Sequence, residues 1–170
     1  PFNGTGTANN PADYTITASP ITIAAGSTSA SMTVNIAADQ IAEPNETVIV
    51  TMGTPTNGIA VVPTVHTLTI AGQTPNVNWT LASQSSGELG TPTITAQLSS
   101  PSTQDVTVPF TAAGTATVGS DYTLTASPLV IAAGTTSASI TVNVLADGIA
   151  EPSETVIVTM GTPINAVAVA

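Results

Sequence analysis

Apolar and polar residues alternate in short runs along this chain, and Gly, Pro, Asn, Asp and Ser separate the runs. Alternation over about four to eight residues is the pattern of a half-buried strand, and no stretch sustains a helical period. Residues 76–82, 91–98 and 106–111 read as three such strands. Residues 123–126 and 129–131 flank a kink at Pro128, and 137–145 form a long alternating strand. The short apolar run 155–160 predicts a strand buried on both faces. Residues 59–70 predict a further strand with Pro63 inside it; Pro has no N–H for the ladder, so it marks an edge or a bulge. Gly26 and Gly134 follow matching Ile-Ala-Ala runs, where a turn demands positive φ.

The pattern repeats. PFNGTGTANNPADYTITASPITIAAG from Pro1 returns as PFTAAGTATVGSDYTLTASPLVIAAG from Pro109, and AEPNETVIVTMGTP from Ala42 as AEPSETVIVTMGTP from Ala150. Residues 1–62 align with 109–170 without a gap, and 42 of the 62 positions are identical. The offset of 108 residues is the size of a small β domain. The chain therefore reads as a window on a longer tandem array. Residues 1–72 are a repeat lacking its first strands, and residues 73–170 a repeat lacking its last. Seven or so strands per unit, at Greek-key spacing, predict an all-β chain of tandem immunoglobulin-like sandwiches with incomplete end domains.

Composition narrows the function. The 170 residues include no Lys, Arg or Cys, against ten acids and one His, for a net charge of −10. Without cations the chain has nothing to neutralise phosphates, which excludes nucleic acid and anionic lipid surfaces as partners. Disulfides are impossible. With 42% apolar residues the chain has the material for a core. No apolar run approaches the ~18 residues of a membrane span, so no direct membrane insertion is expected, and no signal peptide is visible.

The acids are not scattered. Eight of the ten form one constellation used twice: Asp13, Asp39, Glu43 and Glu46, then Asp121, Asp147, Glu151 and Glu154. Three of each four fall in one inter-strand loop. Carboxylates ~5 Å apart repel by roughly 3 kcal/mol per pair at an effective dielectric of ~20. With no Lys or Arg to offset this, either full solvation or a bound cation must do so. Ca²⁺ takes about 6–8 oxygens in a flexible geometry and suits such a loop best, with Mg²⁺ second. Zn²⁺ would want Cys or His, and the chain has only His66.

The run from Gly114 through Val158, with Ser120-Asp121-Tyr122, the Gly134 turn and the loop Asp147 to Glu154, resembles the Calx-β domain. The first copy shows Ala12-Asp13-Tyr14, Gly26 and Asp39 through Glu46. The resemblance covers essentially the whole chain. It implies an immunoglobulin-like sandwich that binds Ca²⁺ at the loop tips of one end. By position it assigns Asp13, Asp39, Glu43, Glu46 and the Ile41 carbonyl as ligands in the first copy. In the second it assigns Asp121, Asp147, Glu151, Glu154 and the Ile149 carbonyl, with Glu88 a further candidate beside Ser86. Ala38 and Ala146 stand where the family often has the first Asp of an acidic pair, and Gln40 and Gly148 replace a further acid. Fewer carboxylates imply one or two ions per domain.

The remaining chemistry is sparse. His66 reads as a structural or surface residue, Trp79 as a core or linker anchor, and Tyr14 and Tyr122 as packing beneath the acidic loops. The sequons at Asn3, Asn45 and Asn78 are what chance gives a chain rich in Asn and Thr. Without Cys, Lys or Arg, and with one His lacking a nucleophile partner, no enzyme is expected. Near-identical copies without tryptic sites point to an extracellular, cell-surface adhesive array. In that reading Ca²⁺ stiffens the units, neighbouring copies of the repeat are the partners in a head-to-tail array or filament, and a surface ligand remains unidentified. The alternative is a Ca²⁺-sensing regulatory module of a larger membrane protein.

Overall fold

The computed structural model describes residues 1–146, 148 and 152–169, and every regular element among them is a β-strand. The chain divides into two compact units, one of Pro1–Gln40 with Pro44–Gln73 and the other of Ile41–Glu43 with Thr74–Ala170.

In the first unit, β1 (Phe2–Gly6), β4 (Glu46–Met52) and β5 (Val65–Ile70) form a three-stranded antiparallel sheet with β4 in the middle. β2 (Tyr14–Ile16) pairs with β3 (Val34–Ile36) as a second layer. Val48 and Val50 lie two apart and so share a face of β4. They are buried with Tyr14, and Phe2, Ile16, Val34 and Leu68 pack around them.

The second unit is fuller. Its strands are β6 (Asn76–Trp79), β7 (Thr93–Leu98), β8 (Val106–Val108), β9 (Phe110–Gly114) and β10 (Tyr122–Leu124). They continue with β11 (Leu129–Ile131), β12 (Ser137–Val144), β13 (Val156–Met160) and β14 (Val167–Ala168). One sheet runs β10-β12-β7-β6-β14, and the pairs β11-β8 and β13-β9 stand apart from it. Val77, Ala96, Val106, Val108, Ile131 and Ile140 are fully buried in the core it shares with those pairs. This is the all-β sandwich expected from the alternation.

The repeat in sequence is a repeat in register. β1 pairs with β4 from Phe2↔Met52, and β9 with β13 from Phe110↔Met160. Tyr14↔Ile36 opens the β2–β3 pair as Tyr122↔Val144 opens β10–β12. Gly6 and Gly114 end β1 and β9 at φ of 131° and 134°. A Cβ on either would collide with the carbonyl oxygen of Thr47 or Thr155. That oxygen accepts two successive N–H groups: Thr7 and Ala8 in one copy, Thr115 and Ala116 in the other. Gly26 and Gly134 do turn with positive φ, at 83° and 77°.

Several expectations need correction. The run 155–160 is not buried on both faces: in β13 exposed and half-buried residues alternate, and Ile157 is 56% exposed. Strand β9 covers one edge of β13, and water reaches its outer face. The predicted strand 59–70 shrinks to Val65–Ile70, which excludes Pro63. Residues 59–63 are exposed and outside any strand. The run 106–111 breaks at Pro109 into β8 and β9. Trp79 packs on the second core, and its indole N–H finds no hydrogen-bond partner among the described residues.

Candidate metal centre

Asp13 closes a turn just ahead of β2. Its Oδ2 accepts the Asn9 N–H at 2.5 Å, its own N–H donates to the Asn9 carbonyl at 2.8 Å, and its carbonyl accepts the Ala37 N–H at 2.8 Å. A short polar side chain satisfying the backbone a few residues back is the ordinary Asx logic of turns. Here it fixes a carboxylate in place while leaving the group acceptor capacity for a cation. Asp13 is only 8% exposed, and Tyr14 beside it is 4% exposed, packed beneath the turn as expected.

The loop between β3 and β4 supplies the rest. Glu46 is the first residue of β4, held in register opposite Ile70, and Glu43 is half-buried ahead of it. The Asn45 side-chain oxygen accepts the Gly72 N–H at 2.8 Å, bracing the loop against the chain just beyond β5. Asp13, Glu43 and Glu46 thereby converge, each offering a carboxylate oxygen, with these oxygens within 4.8 Å of one another. At that spacing each pair repels by roughly 3 kcal/mol for an effective dielectric of ~20. No Lys or Arg exists anywhere in the sequence to answer it. The donor set is all hard oxygen, as Ca²⁺ requires, and three carboxylates with some bidentate, plus carbonyl or water oxygens, reach the ~6–8 ligands it takes.

None of the other described candidate ligands belongs to this three-carboxylate group. Asp39 and Ile41 are exposed, and Asp39 is not part of the three-carboxylate group. Between them Gln40 adopts φ of 66°, and its counterpart Gly148 adopts 78°, so this position is a left-handed turn in both copies. In the second copy Asp121 reproduces the turn of Asp13. Its Oδ2 accepts the Thr117 N–H at 2.6 Å and its carbonyl the Leu145 N–H at 2.8 Å. Glu154 is exposed, and Asp147, Ile149 and Glu151 lie outside the described residues. Glu88 is exposed in a turn with Leu89 at φ of 60°. The nearby Gly90 carbonyl accepts the Val144 N–H at 2.9 Å, which puts this turn at the end of β12 that leads into the acidic loop. Asp105 serves the fold instead, its carboxylate accepting the Ala133 N–H at 2.8 Å. His66 is an exposed residue of β5. Two roles escaped the sequence reading: the turn made by Asp13 and the brace made by Asn45. The first leaves a trace, an Asp four residues after a polar residue in both copies. The second leaves none, because its partner lies 27 residues away.

The model of the Calx-beta domain matches residues 3–74 and again residues 82–168. Among solved structures, that of CBD12 from CALX1.2 is 21% identical with a TM-score of 0.42, the alignment covering 78% of this chain and 54% of that one. That of calcium binding domain CBD12 of CALX1.1 is 19% identical with a TM-score of 0.46, covering 95% of this chain and 66% of that one. The chain thus spans less than two thirds of the length of either. None of the curated proteins matches it. The family match overturns the extracellular, cell-surface location expected from composition, since what it identifies over both repeats is the Calx-beta domain and not a surface adhesin. Lack of Lys and Arg governs solubility and partner charge; it carries no cellular address. Matched twice, over stretches that together span nearly all of its length, the protein belongs to the Calx-beta domain family.

Proposed function

We propose that this protein is a Ca²⁺-sensing regulatory module of a larger membrane protein, in which each Calx-beta domain takes up Ca²⁺ on its acidic loop. The observation that carries the reading is the convergence of Asp13, Glu43 and Glu46 in a chain without a single basic side chain. Without an ion, their mutual repulsion favours states in which the 39–46 loop stands away from Asp13. With one, the turn before β2, the loop and the first residue of β4 are tied at a common point. The ion thus selects between two arrangements of one loop, which is the minimum a sensor needs. Asp39 and the Ile41 carbonyl, exposed on the same loop and outside the three-carboxylate group, are the further ligands that the ion would draw in. Asp121, Asp147, Glu151, Glu154 and the Ile149 carbonyl form the shell in the second domain, with Glu88 close to that end. Ala38, Ala146, Gln40 and Gly148 hold the count to one or two ions per domain. The role is binding, not catalysis.

The test is titration calorimetry of the 170-residue chain with Ca²⁺ and with Mg²⁺ at fixed ionic strength, beside melting in Ca²⁺ and in EDTA. Saturable heat with Ca²⁺, a weaker response to Mg²⁺ and a higher melting temperature in Ca²⁺ are expected. Glu43→Gln should remove about one charge's worth of affinity, a tenfold loss or more. Equal melting in Ca²⁺ and EDTA together with no heat of binding would sink the proposal.

A further inference from the structure

Asn45 is exposed, carries no charge and stands among the candidate ligands of the first copy without being one of them. Its side chain nevertheless reaches far along the chain: Oδ1 accepts the Gly72 N–H at 2.8 Å, 27 residues away. Glu46, the next residue, opens β4 opposite Ile70. The same register carried two residues further sets Pro44 against Gly72, and Pro44 has no N–H to extend the ladder. The Asn45 side chain thus fastens the two chains just beyond their last paired residues. Glu43 is joined to β4 through Pro44 and Asn45, so the bond to Gly72 limits how far Glu43 can swing from Glu46. The second copy has Ser153 at this position, whose hydroxyl ends a bond short of an Asn oxygen. The two copies therefore share their candidate ligand positions and differ in this side chain.

We infer that Asn45 is the positioning residue of the first metal site: through Gly72 it holds Glu43 and Glu46 at the spacing an ion requires and so raises the Ca²⁺ affinity of that copy. The role rests on the reading that Asp13, Glu43 and Glu46 bind Ca²⁺. Without an ion these carboxylates, within 4.8 Å of one another, repel, and the loop relieves the repulsion by moving. The other two groups give way less readily. Asp13 is tied by backbone bonds to Asn9 and Ala37, and Glu46 is held in register in β4. A bond that keeps Glu43 near its final place reduces the ordering that binding must impose, which is preorganisation. Linkage makes the effect reciprocal. Whatever factor the brace adds to ion binding, the bound ion adds to the brace.

The experiment titrates the 170-residue chain with Ca²⁺ and follows each residue by NMR, in the unaltered protein, in Asn45→Ala and in Asn45→Asp. Both changes fall on an exposed side chain and orphan no buried group, so both variants fold. In Asn45→Ala the signals of Asp13 and Glu46 should report an affinity weaker by about threefold to tenfold, while Asp121 titrates as before. Asn45→Asp keeps an oxygen for Gly72 and should bind at least as tightly as the unaltered protein. Amide exchange at Gly72 is the second readout. Ca²⁺ should slow it by a like factor in the unaltered protein and in Asn45→Asp, and leave it unchanged in Asn45→Ala. Any of three results overturns the inference: affinity untouched by Asn45→Ala, a loss in Asn45→Asp as large as in Asn45→Ala, or a Gly72 amide indifferent to Ca²⁺ in the unaltered protein. An unaltered protein that binds no Ca²⁺ at all overturns the underlying reading as well, so the two failures are told apart.

Discussion

Asp13 carries two functions through one carboxylate, and the two separate by substitution. One oxygen accepts the Asn9 N–H, which ends the turn, and the group as a whole joins Glu43 and Glu46. Asp13→Asn keeps an acceptor for the turn and removes the charge. Ca²⁺ affinity by calorimetry should fall tenfold or more, while urea stability without Ca²⁺ changes by less than about 1 kcal/mol. Asp13→Ala loses both, adding a stability loss of about 1–2 kcal/mol for the orphaned N–H. Backbone conformation gives a second residue-scale prediction. Gln40 sits at φ of 66°, where the other copy has Gly148. Gln40→Gly should therefore stabilise the Ca²⁺-free protein by about 0.5–1 kcal/mol in urea unfolding. Gly6→Ala should do the reverse and by more than about 2 kcal/mol, because its Cβ meets the Thr47 carbonyl at a φ that L-residues avoid.

At the scale of elements, a strand exists where a partner strand exists. Leu129–Ile131 and residues 21–23 occupy the same place in the repeat and share the final Ile, yet the first pairs with β8 as a buried strand and the second, with no such partner, is exposed coil. Substitutions should report this directly. Ile131→Ala removes a fully buried side chain and should cost about 2–4 kcal/mol, whereas Ile23→Ala, at a site 55% exposed, should cost under about 1 kcal/mol. Chemical denaturation of the two variants measures the contrast. The same reasoning accounts for β13: its hydrophobic run suggests a central strand, but with β9 as its pairing partner its outer residues remain in water.

The whole molecule bears a net charge of −10 with no positive side chain outside its one His. Self-repulsion destabilises the compact state and is screened by salt, with a Debye length near 10 Å at 0.1 M falling to about 3 Å at 1 M. Raising NaCl from low to about 0.5 M should raise the melting temperature of the Ca²⁺-free protein, read by circular dichroism. Ca²⁺ at constant ionic strength should raise it further. A ligand bound by the folded state alone adds about 2.7 kcal/mol when present at 100 times its dissociation constant. Mg²⁺ at the same ionic strength separates site occupancy from screening, because general screening does not distinguish the two ions.

Much of this protein is legible in its sequence because the relevant physics is local. Period-two alternation marks strands, positive-φ turns ask for Gly at 26 and 134, and a self-match without gaps carries register from one copy to the other. The absence of Lys and Arg beside clustered acids leaves solvation or a bound cation to offset their charge, since charge balance needs no coordinates, and the resemblance to the Calx-β domain then favours the cation. Tertiary structure decided what depends on partners distant along the chain. Asp13 meets Glu43 and Glu46 from far along the chain, because the turn before β2 and the start of β4 are brought together, and no local pattern states that. The fate of residues 21–23 was likewise settled by strands they lack. A sequence states what a segment can pair with; only the assembled sheet determines whether the partner is there.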